Sequence, residues 1–290
     1  MSAIQQLMMS YGSPIVTGWF AGVSMLRARY GHAAVGTPTA SIVAGGYTST
    51  DATYSSLCDS FNGTAWSATG ALLGGPRMYL AGCGTQSAAL AACGFNWGQV
   101  ANAETYNGTS WTSVAAVAVA RSRVSACGTS AAAIIAGGFD GSNYYTTAET
   151  FNGTAWSAGG SLTTLRGSAG LCGTSSAAVC SGGSNWTGGL TSTELYNGTT
   201  WSSSGAMTQA AIGQGQCGTQ SAARAFGGYT PNWGDIYANV SETFNGTVWA
   251  SSAYSLASNK ALVGGCGSAT AAQSTGGTSG AALMTVENFA

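Results

Sequence analysis

The sequence predicts an all-β fold: a six-bladed β-propeller of four-stranded blades, closed by an N-terminal strand that completes the last blade. Three observations carry this. The string [Phe/Tyr]-Asn-Gly-Thr-x-Trp starts at Phe61, Tyr106, Phe151, Tyr196 and Phe244, at spacings of 45, 45, 45 and 48 residues, and a period of this size marks solenoids, propellers or arrays. The composition, with 45 Gly and only 6% charged residues among 290, lacks the charged outer faces that solvated helices need. A sixth, partial copy, Glu287-Asn288-Phe289, stops before its Trp, and a Trp stands at the other end: Trp19 lies 16 residues before Val35, as Trp111 does before Cys127. A linear array would cap its ends with polar repeats instead.

The elements follow in chain order. Residues 1–16 form an N-terminal extension in which Ile4, Leu7, Met8 and Met9 make a short apolar cluster and Pro14 restricts the link to the propeller. Too short to fold alone, it is expected to anchor the chain to a larger assembly; the alternative is packing on its own blade. Residues 17–290 form the propeller. Each unit opens on Val35-Gly36-Thr37 or a Cys-Gly-Thr/Ser element (Cys83, Cys127, Cys172, Cys217, Cys266). This marks the first strand and its turn. Ten residues on comes the Gly-Gly pair (Cys93-Gly94 in the second unit), which permits close backbone approach near the axis. The third strand carries an acid two residues before its aromatic: Asp59, Glu104, Glu149, Glu194, Glu242 and Glu287. Asn-Gly then predicts a type I′ hairpin into the Trp strand. In the third unit the strands are expected at 124–128, 132–137, 147–151 and 154–157.

Arg before the first strand, Gly-Gly after the second, Glu-x-[Phe/Tyr] in the third and a following Trp resemble kelch-type propellers over residues 17–290. The aromatic-to-Trp interval is shorter than in that family. The near-identical Asn-Gly-Thr-x-Trp units also resemble propeller-repeat structural proteins of tailed phages, notably marine ones. That second resemblance implies a non-enzymatic virion component, associated with capsid, neck or tail and made in the host cytoplasm. Its expected partners are other virion subunits, reached through the extension, and a host-surface glycan or protein. The alternative is a soluble lectin-like or kelch-type protein-interaction module.

Several classes are disfavoured by composition. Eight basic residues cannot build a phosphate-tracking surface, so no nucleic acid is expected. Apolar runs are short and broken, so no membrane insertion is expected, and residues 1–12 lack the basic start of a secretory signal. One histidine, His32, cannot supply the copper site of galactose-oxidase-like kelch enzymes, and no Asp-box, Gly-x-Ser-x-Gly or Walker string occurs. No cofactor and no metal are expected. The equivalent cysteines point in rotated directions on separate blades and read as buried free thiols.

Strand order places the second-to-third-strand loops and the inter-blade connections on one face, here called upper. The interval from the second Gly to the next aromatic runs 15, 12, 13, 13, 16 and 12 residues, and insertions confined to one face often mark a binding face. These loops carry Asn96-Trp97, Asn143-Tyr144, Asn185-Trp186 and Asn232-Trp233. An aromatic ring covers the apolar face of a sugar and an amide bonds its hydroxyls; such rings equally suit a protein interface or fold back over the blade. A repeated cation lies six residues before each Cys or Val35: Arg29, Arg77, Arg121, Arg166 and Lys260, with Ala211 as the gap. The two readings are a broken cationic ring at the upper channel mouth, taking a carboxylate or sulfate, and pairing with the repeated acids. The second is favoured.

Overall fold

The structure is a computed structural model that describes residues 17–49, 51–230 and 236–290. Ile4, Leu7, Met8 and Met9 of the extension lie outside the described residues, as do Asn232 and Trp233. Among the described residues the regular elements are all strands, with no helix. Four-stranded antiparallel sheets recur along the chain, six of them among the described residues. This repetition fits a β-propeller.

The third sheet is representative. Ser125–Thr129, Ala132–Ala136, Thr147–Phe151 and Trp156–Ser161 lie side by side in that order. Its second strand is Ala-Ala-Ile-Ile-Ala, buried from the second residue onward, because it has a neighbouring sheet on each face. The third-strand aromatic packs on the following Trp throughout: Phe61 on Trp66 at 5.0 Å and Tyr196 on Trp201 at 4.9 Å between ring centroids. The sixth sheet joins the two ends of the chain. Trp19–Ala21 pairs antiparallel with Val286–Phe289 in the register Trp19↔Phe289, Phe20↔Asn288, Ala21↔Glu287. The Trp19 ring also meets Phe226 of the fifth sheet at 4.8 Å.

One turn expectation needs correcting. Phe61 pairs directly with Trp66, so Asn62-Gly63-Thr64-Ala65 is a four-residue loop and not a two-residue type I′ turn. Only the Gly takes positive φ, +95° at Gly63. The Asn instead ties the loop through its side chain: Asn62 Oδ1 accepts from Thr64 N at 3.0 Å, Thr64 Oγ1 at 2.8 Å and Ala65 N at 2.9 Å. This explains why Thr recurs in the string. The Gly-Gly pair makes its close approach between adjacent sheets. The second Gly donates its N–H to the carbonyl of the repeated-cation position in the next sheet: Gly46 to Arg77, Gly94 to Arg121, Gly138 to Arg166, Gly183 to Ala211, Gly228 to Lys260 and Gly277 to Arg29, at 2.8–3.0 Å. This second residue is glycine in all six units, at φ between +84° and +125°, where an L side chain is disfavoured, whereas the first position accepts Cys93.

The repeated cations do not form an open ring. Arg29, Arg77, Arg121, Arg166 and Lys260 have fully buried side chains and pair with Asp59, Glu104, Glu149, Glu194 and Glu287 at 2.7–2.8 Å. The carboxylates also cap backbone: Glu104 accepts from Leu73 N and Gly74 N, and Glu194 from Thr163 N and Thr164 N. Asp59 is one methylene shorter, and Arg27 supplies its second partner. Each pair thus ties an inter-sheet connection to the third strand of its own sheet.

Candidate functional site at the upper face

Two residues after each repeated-cation position the backbone turns left-handed. The φ values are +61° at Gly31, +54° at Tyr79, +56° at Arg123, +53° at Ser168, +66° at Gly213 and +54° at Leu262. For four of these six an L side chain is held where it is disfavoured. The reason is a cycle of backbone hydrogen bonds. Tyr79 N donates to Gly31 O, Arg123 N to Tyr79 O, Ser168 N to Arg123 O, Gly213 N to Ser168 O, Leu262 N to Gly213 O, and Gly31 N back to Leu262 O, at 2.6–3.1 Å. The residue types around this collar differ from sheet to sheet, while the backbone that holds them repeats.

Above the collar the loop aromatics form two clusters. In the first, Tyr30 meets Tyr47 at 5.2 Å, Tyr47 meets Tyr54 at 6.0 Å, and Tyr54 meets Phe95 at 5.7 Å and Trp97 at 5.2 Å. Burial, and then the neighbouring Tyr79, Tyr47, Tyr54 and Tyr237 hydroxyls, push the Tyr30 phenol above its ordinary pKa. In the second, Phe139, Tyr144 and Trp186 contact one another at 4.9–5.9 Å. Arg123 joins the two halves. Its guanidinium lies 5.4 Å from the Tyr79 ring centroid and 5.3 Å from that of Phe139, and Nη1 donates to Tyr144 Oη at 3.4 Å. Of the chain's eight basic residues, only Arg123 and Arg224 lack a carboxylate partner within 4.0 Å among the described residues. Arg224 is spent on Ser241 Oγ, Ser252 Oγ and Ala269 O, which leaves Arg123 as the cation facing the aromatic rim.

The outer ends of both clusters are open: Trp97 is 84% and Trp186 63% exposed. Each is nonetheless fixed by edge contacts to other rings, so its face is presented rather than loose. The neighbouring Asn residues also make bonds within their own loops. Asn185 Oδ1 accepts from Thr187 N at 2.9 Å and Thr187 Oγ1 at 2.7 Å, closing its own turn. Asn143 has its N–H on Asp140 Oδ1 at 2.6 Å. Asp140 also takes Ser142 N–H and the Tyr145 hydroxyl, and these bonds, the hydroxyl first, hold its carboxyl down at about 2. Asn96 donates its backbone N–H to Gly98 O at 2.8 Å, beside Trp97 at φ +55°. The Asn residues therefore shape the loops that carry the rings.

The solved structure of YjhT superposes on this chain with a TM-score of 0.76 at 13% identity, covering 91% of this chain and 95% of that one. At this identity the likeness shows the fold. No family model and no curated protein matches the sequence.

At the opposite end of the axis Val35, Cys83, Cys127, Cys172, Cys217 and Cys266 ring a cavity of about 110 Å³. Burial pushes the thiols of Cys83, Cys172 and Cys266 up to about 12 and those of Cys127 and Cys217 well above the ordinary value. Cys83 Sγ points at Thr129 O and Cys127 Sγ at Thr174 O, each in the next sheet. Thiols held this far from ionisation are poor nucleophiles and poor ligands, and among the described residues no three His, Cys, Asp or Glu side chains group to hold a metal.

Sequence reasoning singled out Trp97, Tyr144 and Trp186 but missed Tyr30, Tyr47, Tyr54, Tyr79, Phe95, Arg123 and Phe139. The position two after the repeated cation reads Gly, Tyr, Arg, Ser, Gly, Leu, and the positions on either side of it vary as widely, so the repeat does not mark it.

Proposed function

We propose that the six sheets are the blades of a closed six-bladed propeller of kelch-like repeat that works as a non-enzymatic binding module, with the aromatic rim around Arg123 as its binding face. Support for closure comes from the two hydrogen-bond cycles and from the shared sixth sheet. The observation that carries the binding reading is the pair of fixed, open indole faces, Trp97 and Trp186, on a rim that carries Arg123, which has no carboxylate partner among the described residues. Exposed aromatic area of this kind is costly without a partner. Flat apolar faces beside hydroxyls and a guanidinium suit a carbohydrate, and the same rings suit a peptide. The proposed setting is a virion appendage that uses this face on a host surface, with residues 1–16 anchoring it to other virion subunits; the repeat style and the scarcity of charge support it. The test is a glycan array with the full chain, followed by titration of the best hit. Trp97→Ala/Trp186→Ala is expected to weaken binding at least tenfold, at about 1.4 kcal/mol per decade, and Arg123→Ala to do so for acidic ligands alone. Unchanged binding by all three changes would assign the rings to packing. Absence from purified particles would remove the virion setting and leave the binding module.

A further inference from the structure

The fifth sheet lacks the cation that the other five have. Ala211 stands at that position, yet Glu242 is still there, 3% exposed, and among the described residues it accepts only from Thr208 N at 2.8 Å and Gln209 N at 3.2 Å. No Lys or Arg lies within 4.0 Å of it. A buried carboxylate is tolerated when paired, and an unpaired one is costly.

The space left by the missing side chain has not closed completely. A cavity of about 10 Å³, room for one water-sized occupant, is lined by Glu242, Gln214, Gln209, Gly227 and Val240, with Met207, Ala211, Ala225 and Phe226 as apolar neighbours. Gln214 is 5% exposed and its Oε1 has no hydrogen-bond partner, although its Nε2 donates to Ser181 O at 2.9 Å. This repeat position reads His32, Leu80, Val124, Ala169 and Val263 elsewhere, so the blade without a cation gained an amide oxygen. The backbone oxygens point the same way. In the first and fourth sheets the guanidinium also donates to Gly45 O and Leu57 O, and to Gly182 O and Ser192 O. Their counterparts here are the carbonyls of Gly227 and Val240, which receive no side-chain donor.

We propose that this cavity binds one small monovalent metal cation, of sodium size, which replaces the absent guanidinium. One carboxylate balances one positive charge. A hard cation suits oxygen ligands, and the single carboxylate at this site leaves a divalent ion such as calcium under-neutralised. The inference concerns the interior of one blade and stands apart from the upper-face reading.

The experiment is thermal unfolding of the full chain in NaCl, KCl and N-methylglucamine chloride at equal ionic strength. Tm is expected to rise saturably, by several degrees, with Na+ and not with N-methylglucamine, because a ligand of the folded state alone stabilises by mass action. Ala211→Arg restores the buried pair and Glu242→Gln removes the charge, and each is expected to abolish the sodium dependence. Sodium-23 relaxation broadening should be present in the wild type and lost in both variants. Equal Tm in the three salts means that the cavity holds water, and overturns the proposal. A sodium response that persists in Ala211→Arg places the ion elsewhere and overturns it too. The wild-type series decides the matter even where a variant fails to fold.

Discussion

Replacing Arg166 by Met isolates what a repeated ion pair contributes. The Arg166 guanidinium donates to Gly182 O, Ser192 O, Ser192 Oγ and Glu194 Oε1, all at 2.8–2.9 Å, with no exposure. Met fills much of the volume but leaves Glu194 charged and buried, with only the Thr163 and Thr164 N–H groups on it. Breaking a buried pair from one side costs about 3–5 kcal/mol, a drop of about two to four decades in the folded-to-unfolded ratio. Urea unfolding followed by tryptophan fluorescence reads this directly. With m of about 3 kcal/mol/M for a chain of this size, the midpoint falls by about 1 M at unchanged m. Arg166→Lys keeps the charge and loses bonds to Gly182 O and Ser192 O, so about 1–2 kcal/mol is expected; Lys260 already serves this way 2.8 Å from Glu287. A loss below about 1 kcal/mol for Met, or equal losses for Met and Lys, would refute the idea that these pairs hold each connection to its sheet.

Three further outcomes follow from the geometry. His32 is buried with Nε2 2.9 Å from Thr275 Oγ1, and burial, then Arg29, pulls its pKa from 6.5 to about 3; the unfolded chain therefore takes up a proton below pH 6.5 that the fold refuses, stability from this residue is full above that pH, and it is lost toward pH 3 at up to about 1.4 kcal/mol per unit, a slope that His32→Gln should flatten in urea midpoints measured at pH 7, 6 and 5. Ser168→Gly relaxes a left-handed residue at φ +53° and should raise the midpoint or leave it unchanged, by up to about 1 kcal/mol, whereas Gly128→Ala, whose Cβ would stand 2.3 Å from Ala132 O at φ +106°, should lower it by more than about 1 kcal/mol. Deleting residues 1–24 removes the Trp19–Ala21 strand and exposes the edge of Val286–Phe289, so light scattering should report aggregation; a monomer as stable as the full chain counts against the closure.

What was legible in the sequence is what the repeat imposes on every unit. The Thr147–Phe151 strand lies where the acid-x-aromatic pattern puts it, and Trp19 meets Phe289 because the missing Trp of the last unit can be counted. Less legible was what depends on neighbours. The Gly-Gly contact reaches the next sheet, which no single unit reveals, and the Asn-Gly turn took its form from the Asn62 side chain rather than from backbone preference. The short added pairs, Tyr47–Thr48 with Thr53–Tyr54 and Ser184–Asn185 with Gly188–Gly189, sit in the variable loops, where no repetition helps. Arg123 was hidden by its neighbour Arg121: two cations two residues apart differ in role only because the left-handed turn sends the second one toward the rim.

The placement of charge has a consequence for how the molecule meets solution. Arg29, Arg77, Arg121, Arg166 and Lys260, with their carboxylates, are turned inward at no more than 5% side-chain exposure. The lower-face loops carry Asn, Gly and Thr instead. The exterior accordingly resembles a neutral, hydroxyl-coated particle more than a polyelectrolyte. Added salt has few surface charges to screen, and long-range fields neither steer partners in nor hold polyions at the surface. Encounters would then be decided at contact distance, and surface association should change little between dilute buffer and brine.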